Sequence, residues 1–88
     1  MEFHWDHNKS ESNRDKHGLD FSAIHEFDWA TAVVHRSDRF QEERYTAIGY
    51  IGPGLRLWVV VFTPRGDTFR IISIRPASRQ ERDEYAKS

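Results

Sequence analysis

Trp58-Val59-Val60-Val61-Phe62 decides the fold, because every one of its five residues is apolar. Alternate residues of a strand point to opposite sides, so this segment presents apolar side chains on both faces. A strand of this kind lies in the middle of a sheet that is covered, at least in part, on both sides. Strand patterns also flank it, and the three predicted strands cover residues 43–51, 55–63 and 67–75.

Tight turns join these three predicted strands. Gly52-Pro53-Gly54 separates the first two strands and Pro64-Arg65-Gly66 separates the last two. Glycine and proline favour turns, and short connections of this kind join antiparallel neighbours. We therefore expect consecutive strands to pair antiparallel as a three-strand meander.

The residues before the meander predict two short helices. The first covers about 7–17, with Asp6 as its N-cap and Gly18 at its end. The second covers 21–27 after a capping Asp20 and places an apolar residue at every third position.

Short strands and a C-terminal helix complete the prediction. Residues 2–5 and 31–35 each predict a short strand. The segment 36–42 is charged and aperiodic, which predicts a loop. A capping box that begins at Ser78 predicts a short C-terminal helix to about Tyr85. The expected fold class is α+β.

Length and composition narrow the class of protein. Residues 1–88 have room for a single domain. The chain has no cysteine, which excludes disulfides and thiolate metal sites. Its five histidines are too dispersed to predict a metal site, so we expect neither metal nor cofactor. No apolar run approaches the roughly 20 residues of a membrane span, and no signal-peptide pattern opens the chain, so we expect a cytoplasmic protein without membrane contact.

Charge is distributed unevenly along the chain. The net charge is −1, but residues 1–42 carry −4 and residues 43–88 carry +3. Arginine outnumbers lysine ten to three, and arginine is the better residue for bidentate contact with phosphate or carboxylate. This pattern argues against a nonspecific nucleic-acid coat and allows a local anion site.

Strand alternation separates the arginines of the last strand. Strict alternation places Arg75 on one face with Ser73, and Arg70 on the opposite face with isoleucines. Arg65 lies in a predicted turn, where contact with a ligand is easy. A solvated or salt-bridged arginine surface is the alternative interpretation of all three.

Lys16-His17 stands at the predicted end of the first helix. Cations there interact favourably with the negative end of the helix dipole, which is one sufficient explanation. The other explanation is chemical, because a histidine titrates near neutrality and can move a proton. The residues alone do not choose between a ribonuclease and a binding module.

An ordered series of short motifs resembles the BrnT toxin family. The matching motifs run from Phe3 to Tyr85, and they are Phe3-His4-Trp5-Asp6 with Lys9, Asn13 with Lys16-His17-Gly18 and Phe21, Glu42-Glu43-Arg44 with Ile48-Gly49, and Arg70-Ile71-Ile72-Ser73-Ile74-Arg75 with Arg79, Glu81-Arg82 and Tyr85. The resemblance implies a RelE-like fold, which is a small curved antiparallel sheet with helices packed against it. The resemblance further implies a ribonuclease toxin of a type II toxin–antitoxin system that inhibits translation. It also implies a BrnA-like ribbon-helix-helix antitoxin in a 2:2 heterotetramer, which contacts operator DNA mainly through the antitoxin.

The resemblance also implies roles for site residues in metal-independent cleavage of RNA. His17 or Glu43 is the expected base, and Arg65 and Arg75 are expected to stabilise the phosphorane. The residues expected to contact RNA around the cleaved bond are Lys16, Arg44, Arg79 and Tyr85. Two of these residues have structural alternatives, an ion pair for Glu43 and core packing for Tyr85.

A competing function comes from a different class of protein. Related toxins act without nuclease chemistry, by binding a protein such as DNA gyrase, and a fold alone does not fix a function. In that case the arginines would contact an acidic protein surface or the antitoxin, and no titratable base would be needed.

Overall fold

The computed structural model describes residues 2–37 and 42–88, and it has the expected α+β class. The elements in chain order are β1 (Phe3–His4), α1 (His7–His17), a 3-10 helix (Phe21–Glu26), β2 (Val33–Ser37), β3 (Arg44–Tyr50), β4 (Leu57–Arg65), β5 (Thr68–Pro76) and α2 (Arg79–Lys87). The segment predicted as a loop is a strand up to Ser37, and residues 38–41 lie outside the described part of the chain.

The five strands form one mixed sheet in the order β1-β5-β4-β3-β2. The predicted meander is confirmed, because β4 pairs antiparallel with both β3 and β5. The strand β2 pairs antiparallel with β3, but the two-residue β1 pairs parallel with β5. The expectation of an antiparallel sheet was therefore wrong at this edge, because the pairing of β1 depends on a segment far away in the chain. Gly52 and Gly66 have φ of 63° and 61°, a conformation that disfavours other residues, at the two meander turns.

The central strand is buried on both faces of the sheet. Trp58, Val60 and Phe62 belong to a large apolar cluster that the 3-10 helix covers. Val59 belongs to a smaller cluster under α2 on the opposite face. The second predicted helix is this 3-10 helix, and its apolar residues at every third position suit a helix of three residues per turn.

A β-bulge interrupts the alternation of β5. Phe62 pairs with Ile71 but the preceding Val61 pairs with Ser73, so Ile72 has no partner in β4. One extra residue in a strand reverses the face of every side chain beyond it.

The bulge places two arginines on the same face. Arg70 pairs with Thr63 and Arg75 pairs with Val59. Because Val59 and Thr63 are four residues apart in β4, their side chains and those of their partners share one face. The prediction of opposite faces for Arg70 and Arg75 was therefore wrong, since strict alternation cannot anticipate a bulge.

Helix α1 docks through polar groups rather than an apolar stripe. Its buried residues are Ser10 and Asn13. The Asn13 amide nitrogen donates to the backbone oxygens of Leu19 (2.7 Å) and Ile74 (2.8 Å), and its side-chain oxygen accepts from the backbone N–H of Ile74 (3.1 Å). The Ser10 hydroxyl accepts from the backbone N–H of Phe21 at 2.8 Å. None of the helices in the described ranges has the length and apolar character to cross a membrane.

We predict that Asn13→Ala lowers the free energy of unfolding by about 3 kcal/mol, because it leaves buried backbone groups of Leu19 and Ile74 without partners. For a domain of this size the loss corresponds to a Tm about 4–8 °C lower for each kcal/mol. Thermal unfolding followed by circular dichroism measures the shift. Asn8→Ala, on an exposed position of the same helix, is the control and should change Tm little. Equal shifts for the two variants would contradict the role given to Asn13.

Candidate functional site

A basic cavity of about 390 Å³ opens where α1 approaches the sheet. The charged residues that line it are Lys9, Arg44, Arg65, Arg70 and Glu42. Among the described residues that line it, four cations and one carboxylate leave a local excess of positive charge in a chain whose net charge is −1. Such a cavity favours an anionic ligand.

Three strands and a helix bring these cations together. Arg44 begins β3, Arg65 ends β4, and Arg70 lies in β5 before the bulge. Lys9 lies in the first turn of α1, where its backbone N–H donates to the N-cap Asp6 at 3.1 Å. This hydrogen bond from Lys9 lowers the pKa of Asp6.

A second cavity of about 200 Å³ adjoins the first, since Lys9 and Ile72 line both. Lys16, His17 and Ser73 contribute polar groups to it. His17 is half-buried at the end of α1, which closes at Gly18 with φ of 87°. His17 therefore lines a cavity that adjoins the one lined by the arginines.

The spacing of Lys9, Lys16 and His17 along α1 explains why these three residues line the cavities. Lys9, Lys16 and His17 lie four residues before, three after and four after Asn13. Residues at these spacings share one face of an α-helix. Because Asn13 binds β5, that face is turned toward the bulge.

Glu42 bridges two of the arginines in the larger cavity. One carboxylate oxygen lies 3.2 Å from Nη2 and 3.4 Å from Nε of Arg44. The other oxygen lies 3.2 Å from Nη2 of Arg65. The carboxylate therefore joins the strand ends that carry the two guanidinium groups.

The structure divides the predicted site residues into two groups. Lys16, His17, Arg44 and Arg65 line the cavities. The predicted residues that line neither cavity are Glu43, Arg75, Arg79 and Tyr85. Within the first group, Lys16 and His17 share the smaller cavity and Arg44 and Arg65 share the larger one. The functional roles of all eight stay predictions.

Arg75 is held by the last helix. Its guanidinium makes two hydrogen bonds to Glu81, of 2.7 and 2.9 Å. Glu81 also accepts from the backbone N–H of Ser78 and so completes the capping box of α2. Hydrogen bonding from Arg75, supported by Ser78, lowers the pKa of Glu81 from its ordinary 4.5 to about 2.

Glu43, Tyr85 and Arg79 occupy other surroundings. The Glu43 carboxylate accepts from the Tyr45 hydroxyl at 2.7 Å and forms an ion pair with Arg36 at 3.3 Å. The Tyr85 ring packs against the small apolar cluster under α2. Arg79 is exposed in the first turn of α2. Glu43 and Tyr85 thus make the structural contacts that were the alternatives to their functional roles.

Sequence reasoning gave no site role to Lys9, Glu42, Arg70 or Ser73. The helical spacing of Lys9 from Lys16 and His17 was a usable signal. Arg70 had no such signal, because the bulge that turns it toward Arg44 and Arg65 is not visible in the alternation of β5.

The chain matches the model of a known protein family over most of its length. The model of a family described as "Ribonuclease toxin, BrnT, of type II toxin-antitoxin system" matches residues 5–81. No curated protein matches the chain. The family match covers the greater part of the 88 residues, including both cavities and the pair formed by Arg75 and Glu81.

We predict that Glu81→Gln destabilises the protein in a pH-dependent manner. The folded-state pKa of Glu81 lies below its ordinary value. Its contribution is therefore fully present above about pH 4.5 and is lost as the pH falls toward 2. At pH 7 the loss should be about 1–2 kcal/mol, a range that allows for solvent screening of a partly exposed pair.

Urea unfolding of both proteins at several pH values between 7 and 2.5 tests this. The difference in free energy between the wild type and Glu81→Gln should shrink below pH 4.5. The exposed Glu26→Gln is the control for removal of one negative charge. A difference between wild type and Glu81→Gln that is constant with pH would contradict the assignment.

Proposed function

The chain belongs to the BrnT family of ribonuclease toxins of type II toxin–antitoxin systems, and we propose that its two adjoining cavities form the site of RNA cleavage. The observation that carries this proposal is that His17 lines one cavity while Arg44, Arg65 and Arg70 line the cavity next to it, with Lys9 and Ile72 lining both. A proton acceptor beside several cations is what phosphodiester cleavage by an internal hydroxyl requires.

The proposed reaction is attack of a ribose 2′-oxygen on the adjacent phosphorus. His17 takes the proton of the 2′-hydroxyl, the new O–P bond forms, and the bond to the 5′-oxygen breaks. Lys9 and Lys16 share the second cavity and are the candidates for the group that donates a proton to the leaving 5′-oxygen. The products are a 2′,3′-cyclic phosphate and a 5′-hydroxyl.

The arginines stabilise the negative charge that develops in this reaction. The phosphorane carries more charge than the starting phosphodiester, so fixed guanidinium groups stabilise the transition state more than the bound RNA. Arg65 and Arg70 are proposed to contact the reacting phosphate, with Arg44 beside them. Since these side chains supply the positive charge, we propose that cleavage is independent of metal ions.

His17 is favoured over Glu43 as the base by its position. His17 is half-buried in the second cavity. The Glu43 carboxylate is engaged with Tyr45 and Arg36 and lines neither cavity. A general base must reach the proton that it removes, and geometry comes before pKa in this choice.

Membership in the BrnT family supports further proposals about the fold, the partner and the cellular role of this protein. We propose that the mixed sheet with its terminal helices is a RelE-like arrangement. The partner is proposed to be a BrnA-like ribbon-helix-helix antitoxin in a 2:2 complex, with operator DNA bound through the antitoxin. We also propose that the toxin acts on translation in the cytoplasm.

We predict that purified toxin cleaves RNA in the presence of EDTA and that His17→Ala slows cleavage by about 10²–10⁴-fold, the usual contribution of a positioned acid–base group. Arg70→Ala should also slow cleavage, because it removes a cation from the cavity. Denaturing gel electrophoresis of total RNA measures the loss of full-length species, and mass spectrometry of a short substrate identifies the cyclic phosphate.

Arg56→Ala is the control for loss of one surface arginine, since Arg56 is exposed and lies over Trp58 outside both cavities. Its cleavage rate should remain close to that of the wild type. Intact RNA together with growth arrest would contradict the nuclease and favour a protein target such as DNA gyrase. Cleavage that EDTA abolishes would contradict metal independence alone.

We also predict that co-expression with the product of the adjacent reading frame yields a stable complex. Size-exclusion chromatography with multi-angle light scattering should give the mass of two toxins and two antitoxins, and the complex should not cleave RNA. Recovery of free toxin only would contradict the proposed partner.

A further inference from the structure

Two pairs of arginine and glutamate in this protein differ in their geometry. Arg75 and Glu81 form two parallel hydrogen bonds of 2.7 and 2.9 Å, within the usual range for charge-assisted contacts. The contacts of Glu42 with Arg44 and Arg65 are 3.2–3.4 Å long. The first pair is tight and supports a helix cap, whereas the second is loose.

The positions of the two pairs differ as well. Glu81 has 22% of its side chain exposed and is held by the capping box of α2. Glu42 has 31% of its side chain exposed and lines the basic cavity together with Lys9 and Arg70. Among the described residues that line this cavity, Glu42 is the one that carries negative charge.

The Glu42 carboxylate uses donors that a phosphate would need. It accepts from Nε and Nη2 of Arg44, the edge of a guanidinium that binds carboxylate or phosphate in a bidentate manner. It also accepts from Nη2 of Arg65. An RNA phosphate and the carboxylate of Glu42 therefore compete for the same N–H groups.

From these observations we propose that Glu42 is an internal counter-anion of the cavity, which occupies the Arg44–Arg65 site in the free protein and which an RNA phosphate displaces. The carboxylate reduces repulsion between the guanidinium groups while no ligand is bound. It also weakens the binding of any anion that arrives, because one negative charge remains beside the site. This inference rests on the proposed function for the identity of the anion as RNA.

The proposal gives a specific expectation for E42Q. Glutamine keeps the size of the side chain and removes the negative charge. Binding of an anion should become about 3- to 10-fold tighter, the effect expected for one charge at a distance of about 6 Å in a partly solvated site. The salt dependence should also steepen, by about 0.7 in the slope of log K against log salt for a single strand.

The probe is a fluorescein-labelled 2′-O-methyl RNA of eight nucleotides, which lacks the attacking hydroxyl and cannot be cleaved. Fluorescence anisotropy measures its Kd at several salt concentrations. Glu26→Gln is the matched control, because it makes the same change in net charge at an exposed position outside the cavity. The proposal requires E42Q to bind the probe more tightly than both the wild type and Glu26→Gln.

Other outcomes separate this proposal from the proposed function. Equal or weaker binding by E42Q overturns it, and weaker binding would make Glu42 a positioning residue for the arginines. If neither protein binds the RNA probe, inorganic pyrophosphate measured by calorimetry replaces it. Tighter pyrophosphate binding by E42Q then supports the counter-anion while the RNA function fails. Absence of binding of both probes to both proteins overturns the two together.

Folding of the variant is checked in the same experiment. A thermal transition like that of the wild type shows that E42Q is folded. If that transition is lost, E42A is used in its place, because alanine also removes the negative charge of the carboxylate. E42A should also bind the probe more tightly than the wild type, and equal binding would overturn the proposal.

Discussion

The hydrogen bonds between Asn13 and Ile74 are the constraint on which the rest of this structure depends. Strand β1 covers the outer edge of β5 for only two residues, so backbone groups farther along that edge need other partners. The Asn13 amide supplies both a donor and an acceptor to Ile74, as a neighbouring strand would. Helix α1 has no buried apolar side chain, so these polar contacts fix its position on the sheet. The side chains of Lys9, Lys16 and His17 take their places from this attachment.

The bulge in β5 is the second feature of the fold that positions the charged residues of the cavities. It turns Arg70 toward the face that carries Arg44 and lies next to the place where α1 docks. The cavities therefore combine residues from the acidic first half of the chain with arginines from the basic second half. A net charge of −1 describes the whole molecule but not the field at this site. For the same reason the overall charge does not conflict with membership in a family of ribonuclease toxins.

The two arginines of β5 show that residue type alone does not predict whether a side chain lies at the candidate site or makes a structural contact. Arg75 was expected in the catalytic site, yet its guanidinium is bound to Glu81 and helps to cap α2. Arg70 was left on the opposite face with isoleucines, yet it lines the basic cavity. Both arginines lie in β5, and they differ in the groups that surround each guanidinium. The same holds for the adjacent carboxylates of Glu42 and Glu43, because Glu42 contacts Arg44 and Arg65 whereas Glu43 contacts Tyr45 and Arg36.

The sequence by itself determined the features that depend on local chemistry. Apolar runs, turn residues and capping residues specified the meander, its central strand, the first helix and the C-terminal helix, because these signals act between residues close in the chain. The apolar residues spaced by three also identified the second helical segment, although not its 3-10 form. Tertiary structure alone decided the parallel pairing of β1, the bulge at Ile72 and the group of cations in the larger cavity. These features depend on contacts between segments as much as 61 residues apart, such as that of Asn13 with Ile74, and no local pattern encodes them.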